Sequence, residues 1–68
     1  MKFEYDKEVD AAYIYFEYPI KEGGAKKTVQ LNDNIILDYD ENDKVIGVEI
    51  LSASKILKKD VLLEAQSA

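Results

Sequence analysis

Cysteine and histidine are both absent from these 68 residues. Disulfides, thiolate chemistry, and zinc sites built on sulfur or imidazole are therefore excluded. A serine nucleophile also loses its usual base, since histidine activates it in most hydrolases. Arginine is missing too, so all nine cations are lysine, set against fourteen carboxylates for a net charge of −5. Phosphate neutralisation supplies most nucleic-acid affinity, and arginine grips phosphate best, so no nucleic-acid partner is expected. The longest apolar run covers only residues 11–16, against the roughly 18 residues of a membrane span. The start, Met1-Lys2-Phe3-Glu4-Tyr5-Asp6, brings in acids where a signal peptide needs an apolar stretch. The expected location is cytoplasmic, with no membrane partner.

What is present describes one small domain, residues 1–68. At 47% hydrophobic and 34% charged residues the chain is globular rather than disordered. A chain this short buries only about 60% of the surface its unfolded form exposes. With disulfides and sulfur- or imidazole-bound metals removed, oligomerisation or a well-packed sheet-and-helix core is what remains.

Period-two alternation dominates the first three quarters. Phe3 and Tyr5 alternate with Lys2 and Glu4, and residues 11–18, Ala-Ala-Tyr-Ile-Tyr-Phe-Glu-Tyr, read as a central strand covered on both faces. Pro19 ends that run and Lys21-Glu22-Gly23-Gly24 makes a loose connection. Lys27, Val29 and Leu31 form one side of the next strand. Asn32-Asp33 follows as a turn expected to use positive φ, and Ile35, Leu37 and Tyr39 continue beyond it. After the Asp40-Glu41-Asn42-Asp43 turn, Ile46, Val48 and Ile50 share one face of the last strand. The period then changes to three and four through Ala53, Ile56, Leu57 and Val61, with Ser52 or Ser54 as N-cap and Leu62 off the stripe. Asp60 offers a cap for a second short helix, and the Gln66-Ser67-Ala68 tail is expected to fray. The fold class is α+β: an antiparallel meander of four to five strands followed by a short C-terminal helix packed on one face.

Three groups of residues carry candidate chemistry. Asp6, Glu8 and Asp10 recur at every second position, which in an extended chain aligns three carboxylates for acid–base work or a divalent cation. A solvated turn explains them with less. Asp38, Asp40 and Asn42 take positions one, three and five of a calcium loop, with Glu49 at position twelve. Asp43 stands where that loop needs glycine, and the flanks of the 38–49 hairpin read as strands. The third group is aromatic. Tyr5, Tyr13, Tyr15, Tyr18 and Tyr39 suit a half-buried face, because the ring packs while the hydroxyl reaches water. The lysines Lys26-Lys27 and Lys55-Lys58-Lys59 read as solubilising charge. No catalytic residue, cofactor or metal ligand is assigned.

Tyr5-Asp6-Lys7-Glu8-Val9-Asp10-Ala11-Ala12-Tyr13-Ile14, Thr28-Val29, Ile36-Leu37-Asp38-Tyr39-Asp40 and residues 45–54, Val-Ile-Gly-Val-Glu-Ile-Leu-Ser-Ala-Ser, occur here in that order. This ordered set resembles a family of small prokaryotic proteins, domain of unknown function 2283, over residues 3–57. The connection from Pro19 to Ala25 looks longer than usual for the family, and Asn42-Asp43 stands where Asp-Gly is common. The resemblance implies an antiparallel sheet with a helix and no established activity. It also implies an antitoxin-like role, because members look like companions of small toxin-like proteins. Together these readings describe a non-enzymatic interaction module, a homodimer and partner of a small toxin. The alternative is a carboxylate-based divalent cation or small-ligand site in the 38–49 hairpin.

Overall fold

The alternation of Lys2–Asp6 and Ala11–Tyr15 closes into a hairpin, β1 and β2, with Phe3 opposite Ile14 and Tyr5 opposite Ala12. Its turn is held by Asp6, whose carboxylate accepts the Glu8 N–H at 3.0 Å, and by Asp10, which takes a left-handed conformation at φ 54°. The computed structural model describes residues 1–67. Next come β3 (Lys27–Gln30), β4 (Ile35–Tyr39) and β5 (Val45–Leu51), an antiparallel run of three. Two short helices follow, α1 (Ala53–Ile56) and α2 (Lys59–Leu63), and then β6 (Gln66–Ser67).

The fold is α+β, but the sheet is not a simple meander. Its strand order is β3-β4-β5-β2-β1-β6, six strands, with β6 parallel to β1 and every other pairing antiparallel. β2 lies beside β5 rather than β3. The composition of the strands explains this. β5 offers Ile46, Val48 and Ile50 to cover the apolar β2, whereas β3 carries Lys27, Thr28 and Gln30 and suits an edge, where charged and polar side chains discourage further pairing. All four β3 residues are exposed, so both faces of this strand are wet. β2 also stops at Tyr15, short of Pro19: the Phe16 and Glu17 N–H groups both donate to the Ile46 carbonyl, and the chain peels away.

The turns use side chains more than expected. Asn32 and Asp33 keep negative φ, and the Asn32 side-chain oxygen accepts the Asn34 and Ile35 N–H groups at 2.8 and 2.9 Å. Asp40 does the same for Asn42 and Lys44 at 2.8 and 3.0 Å, with Asp43 at φ 60°. A bulge at Asp38/Tyr39 places one extra β5 residue, Ile46, against the end of β4.

The helical segment holds two short helices, as Asp60 allowed, in place of the one packed helix of the expected architecture. Asp60 itself lies inside α2 and does not cap it. Ser52 sits before α1 at φ 53° and its side chain makes no cap. Leu57 is extended (φ −105°, ψ 146°), which separates the two helices and resets their phase. Ala53, Leu57 and Leu62 consequently turn inward, while Ile56 and Val61 are exposed. Of the tail, Gln66 and Ser67 pair with Glu4 and Tyr5 instead of fraying; Ala68 lies outside the described residues.

The helices cover one face of the sheet at one end. There Ala12, Ile50 and Ala53 are buried, with Phe3, Tyr5, Ile14, Val48, Leu57 and Leu62 packed around them. Ile46 is the fourth buried hydrophobic among the described residues. The molecule is a slab of 34 × 24 × 17 Å.

Candidate functional site

Because side chains alternate along strands, the residues between the core positions fall on the opposite face. Tyr13 and Tyr15 of β2 stand there with Glu4 of β1, Gly47 and Glu49 of β5, Asp38 of β4 and Thr28 of β3. Among the described residues, the cluster that the helices join lies on the other face. Gly47 is the residue that lets it close on itself. The Tyr13 ring lies directly over Gly47, leaving no room for a β-carbon: one would come within 2.7 Å of the tyrosine Cζ. Crossing β5 in this way, the Tyr13 hydroxyl donates to Asp38 Oδ2 at 2.5 Å, and the Thr28 hydroxyl donates to Asp38 Oδ1 at 2.7 Å. One carboxylate thus ties β2, β4 and β3 together. Burial, and after it the bond to Asp38, pushes the Tyr13 hydroxyl far above the ordinary tyrosine range.

A second network borders the first. Lys2 Nζ donates to the Tyr18 hydroxyl at 2.9 Å, pairs with Glu4 at 3.3 Å, and sits 4.2 Å from the Tyr18 ring centroid. Tyr15 packs between Tyr13, tilted by 50° at a centroid distance of 4.5 Å, and Tyr18, edge-on at 5.0 Å. Hydrogen bonding between Tyr15 and Glu4 lowers the carboxyl and raises the phenol, and the Tyr18 hydroxyl raises Lys2. A shallow groove of about 300 Å³ runs between Glu4, Asp6, Tyr13, Tyr15 and Glu49. Near neutral pH its tyrosines stay protonated and Glu4 stays ionised. Every buried side-chain N or O atom among the described residues has a hydrogen-bond partner.

The carboxylate row at Asp6, Glu8 and Asp10 does not align, because the turn breaks the extended geometry on which it depended. Asp6 caps the turn and Glu8 is exposed. Asp10 turns back to the helices: its Oδ1 accepts from the Tyr5 hydroxyl at 2.6 Å and the Ser54 N–H at 2.9 Å, and its Oδ2 accepts from the Ser54 hydroxyl at 2.7 Å. The Asp10 carbonyl accepts the Ala53 N–H at 2.9 Å. A residue from the first hairpin therefore caps α1, the task sequence spacing gives to Ser52 or Ser54. The Tyr5 hydroxyl, followed by Ser54, holds Asp10 below the usual aspartate range, and the same bond raises Tyr5.

The calcium-like spacing is likewise dispersed. Asp38 faces Tyr13 and Thr28, Asp40 closes its own turn, Asn42 is exposed on that turn, and Glu49 stands on β5 opposite Tyr13. Among the described residues no group of three or more Asp or Glu side chains is gathered as a metal site would require. Of the lysines, Lys27 pairs with Asp43 at 3.1 Å and lies over Tyr39, while Lys55, Lys58 and Lys59 are exposed. A wider open cleft of about 650 Å³ separates the β1–β2 turn from α2 and β6, with Tyr5, Asp6, Lys59, Leu62 and Gln66 on its walls. Among the described residues no helix is long and apolar enough to cross a membrane.

Gly47 and Asp10 are the two positions whose importance periodicity does not reveal. A glycine inside a strand signals close approach of another group, so Gly47 carries a readable mark. Asp10 carries none, since its partner is 44 positions away.

The model of the family described as Protein of unknown function (DUF2283) matches residues 2–54. An uncharacterized protein of Methanocaldococcus jannaschii is 46% identical over 61 residues, covering 88% of this chain and 47% of that protein. The chain thus spans about half the length of this relative. No solved structure matches.

Proposed function

Given that the chain belongs to the family described as Protein of unknown function (DUF2283), we propose that it is a non-enzymatic protein-interaction module, acting in the cytoplasm as a homodimer. The observation that carries this reading is the thinness of the interior. Ala12, Ile46, Ile50 and Ala53 are the buried hydrophobics among the described residues; two of these four are alanines. Phe16, Val29, Leu31, Ile56, Val61 and Leu63 meanwhile stand exposed. A small core without disulfide or metal gains most from burying such side chains against another chain.

The state of the tyrosine face supports the non-enzymatic part. A general acid or base works best with a pKa near the operating pH. Here Glu4 is displaced downward, and Tyr13 and Tyr15 upward, so none is poised to exchange a proton at neutrality. A net charge of −5 without arginine favours a protein partner over nucleic acid. The antitoxin-like role implied by the family resemblance belongs to the same proposal, with a small toxin-like protein as the second partner.

Sedimentation velocity from micromolar upward tests the dimer, which should appear as a concentration-dependent species. A folded protein that stays monomeric throughout overturns it. Co-purification with the product of the adjacent gene tests the toxin partner, and absence of a complex at all concentrations removes that role.

A further inference from the structure

Resting on the interaction reading, we propose that the helix-bearing side of the sheet is the seat of a second copy of this chain, centred on the stripe Val29, Ile35 and Leu37. The cluster that the helices join draws its strand residues from β1, β2 and β5 and takes none from β3 or β4. Leu37 lies between Val29 and Val48 in register, and Ile35 lies beside Ile50. Val29 is 37% exposed, Ile35 and Leu37 are half-buried, and Ile56 and Val61 add exposed apolar surface on the covering helices.

Charge separates the two faces. The strands carry four carboxylates, Glu4, Asp6, Asp38 and Glu49, and register places all of them on the tyrosine face. Two copies meeting there would oppose these acids to one another. The other face has no strand carboxylate, and residues 53–64 contribute Lys55, Lys58 and Lys59 against Asp60 and Glu64. A chain of net charge −5 can approach its own copy on this side without that repulsion.

Size points the same way. The slab's two longer dimensions, 34 and 24 Å, bound a whole-face footprint near the ~800 Å² that each partner buries in a stable interface. The seat therefore takes in Ile56 and Val61 of the helices as well as the strand stripe. An edge bounded by the 17 Å dimension offers about half to seven tenths of that. Broadside contact through a face, rather than strand addition at the β3 edge, therefore provides the area.

The test compares charge insertions on alternate residues of the exposed edge strand. In a two-fold interface each substitution acts twice, so Val29→Glu should weaken self-association about a hundredfold or more, given the cost of an unpaired buried charge. Gln30→Glu, one residue on and facing the opposite side, should leave association unchanged. Circular dichroism confirms folding, and Leu37→Glu gives a central check. If Leu37→Glu fails to fold, the Val29 and Gln30 pair decides alone. Dimerisation that survives Val29→Glu, or is abolished only by Gln30→Glu, overturns the assignment of the face while the interaction reading stands. A wild-type chain that is monomeric at all concentrations overturns this seat and the homodimer together.

Discussion

Tyr13 passes across Gly47, so that a side chain on β2 reaches a carboxylate two strands away. The φ of Gly47 is not positive, so its requirement is steric rather than conformational. Gly47→Ala drives a methyl into the ring and should cost about 1–3 kcal/mol, the range for overpacking. In a Tyr13→Ala background the same change should cost nothing or stabilise slightly, since alanine restricts the unfolded chain more than glycine. Urea denaturation of the four proteins measures both numbers. An equal penalty in both backgrounds would sink the account.

The bond between Tyr5 and Asp10 sets a pH window. Asp10 is lowered chiefly by the Tyr5 hydroxyl, so its contribution is present above the unfolded-state value of about 4 and is lost as pH falls through the lower native one. Tyr5 is raised by the same bond, so its contribution is present below about 10 and is lost as pH rises through the higher native value. Tyr5→Phe should make both limbs of the stability profile shallower, with part of the acid limb surviving through Ser54. Denaturant midpoints at acid and alkaline pH are the measurement, and limbs as steep as those of the parent would refute it.

The interruption at Leu57 predicts which helical side chains matter. Leu62 packs on the core and Val61 is 41% exposed. Leu62→Ala should therefore cost about 1–2 kcal/mol, less than a fully buried leucine, while Val61→Ala stays within about 0.5 kcal/mol in the monomer. Continuous helical spacing from Ser52 would reverse this order. Thermal melts at low concentration distinguish the two.

Asp40 closes the β4–β5 turn by accepting two backbone N–H groups. Millimolar calcium should leave the melting temperature unchanged, because a ligand selective for the folded form would raise it. Asp40→Ala should lower the melting temperature equally with and without calcium. A calcium-dependent rise in the parent, lost in Asp40→Ala, would restore a cation site to the 38–49 hairpin.

Much of the local structure is legible in the sequence, for reasons these residues make plain. Strand alternation marks Phe3, Ile14, Leu37, Val48 and Ile50 as one face, and turn chemistry marks Asn32 and Asp40. Sheet order is harder, because β2 could meet β3 or β5 and the choice depends on cover supplied by residues more than thirty positions away. Asp60 hints at a second helix, but the position of the break is hidden, since Leu57 is neither glycine nor proline and leaves the three-and-four spacing intact. Pairing of Gln66 and Ser67 with β1 follows from where α2 delivers the chain, a tertiary effect. The tyrosine face was legible as half-buried, but its closure on Asp38 depends on the single absent side chain at Gly47.

Because β2 docks on β5, the connection at 16–26 bridges two pieces that are each closed locally: one hairpin, and one three-stranded run carrying the helices. Severing the backbone between Gly23 and Gly24 would cut no strand, and the halves would still share the β2–β5 ladder, the Asp10 cap and the Tyr13 reach to Asp38. The fold is thus built as a split protein in waiting, whose complementary fragments should find one another and reassemble when mixed.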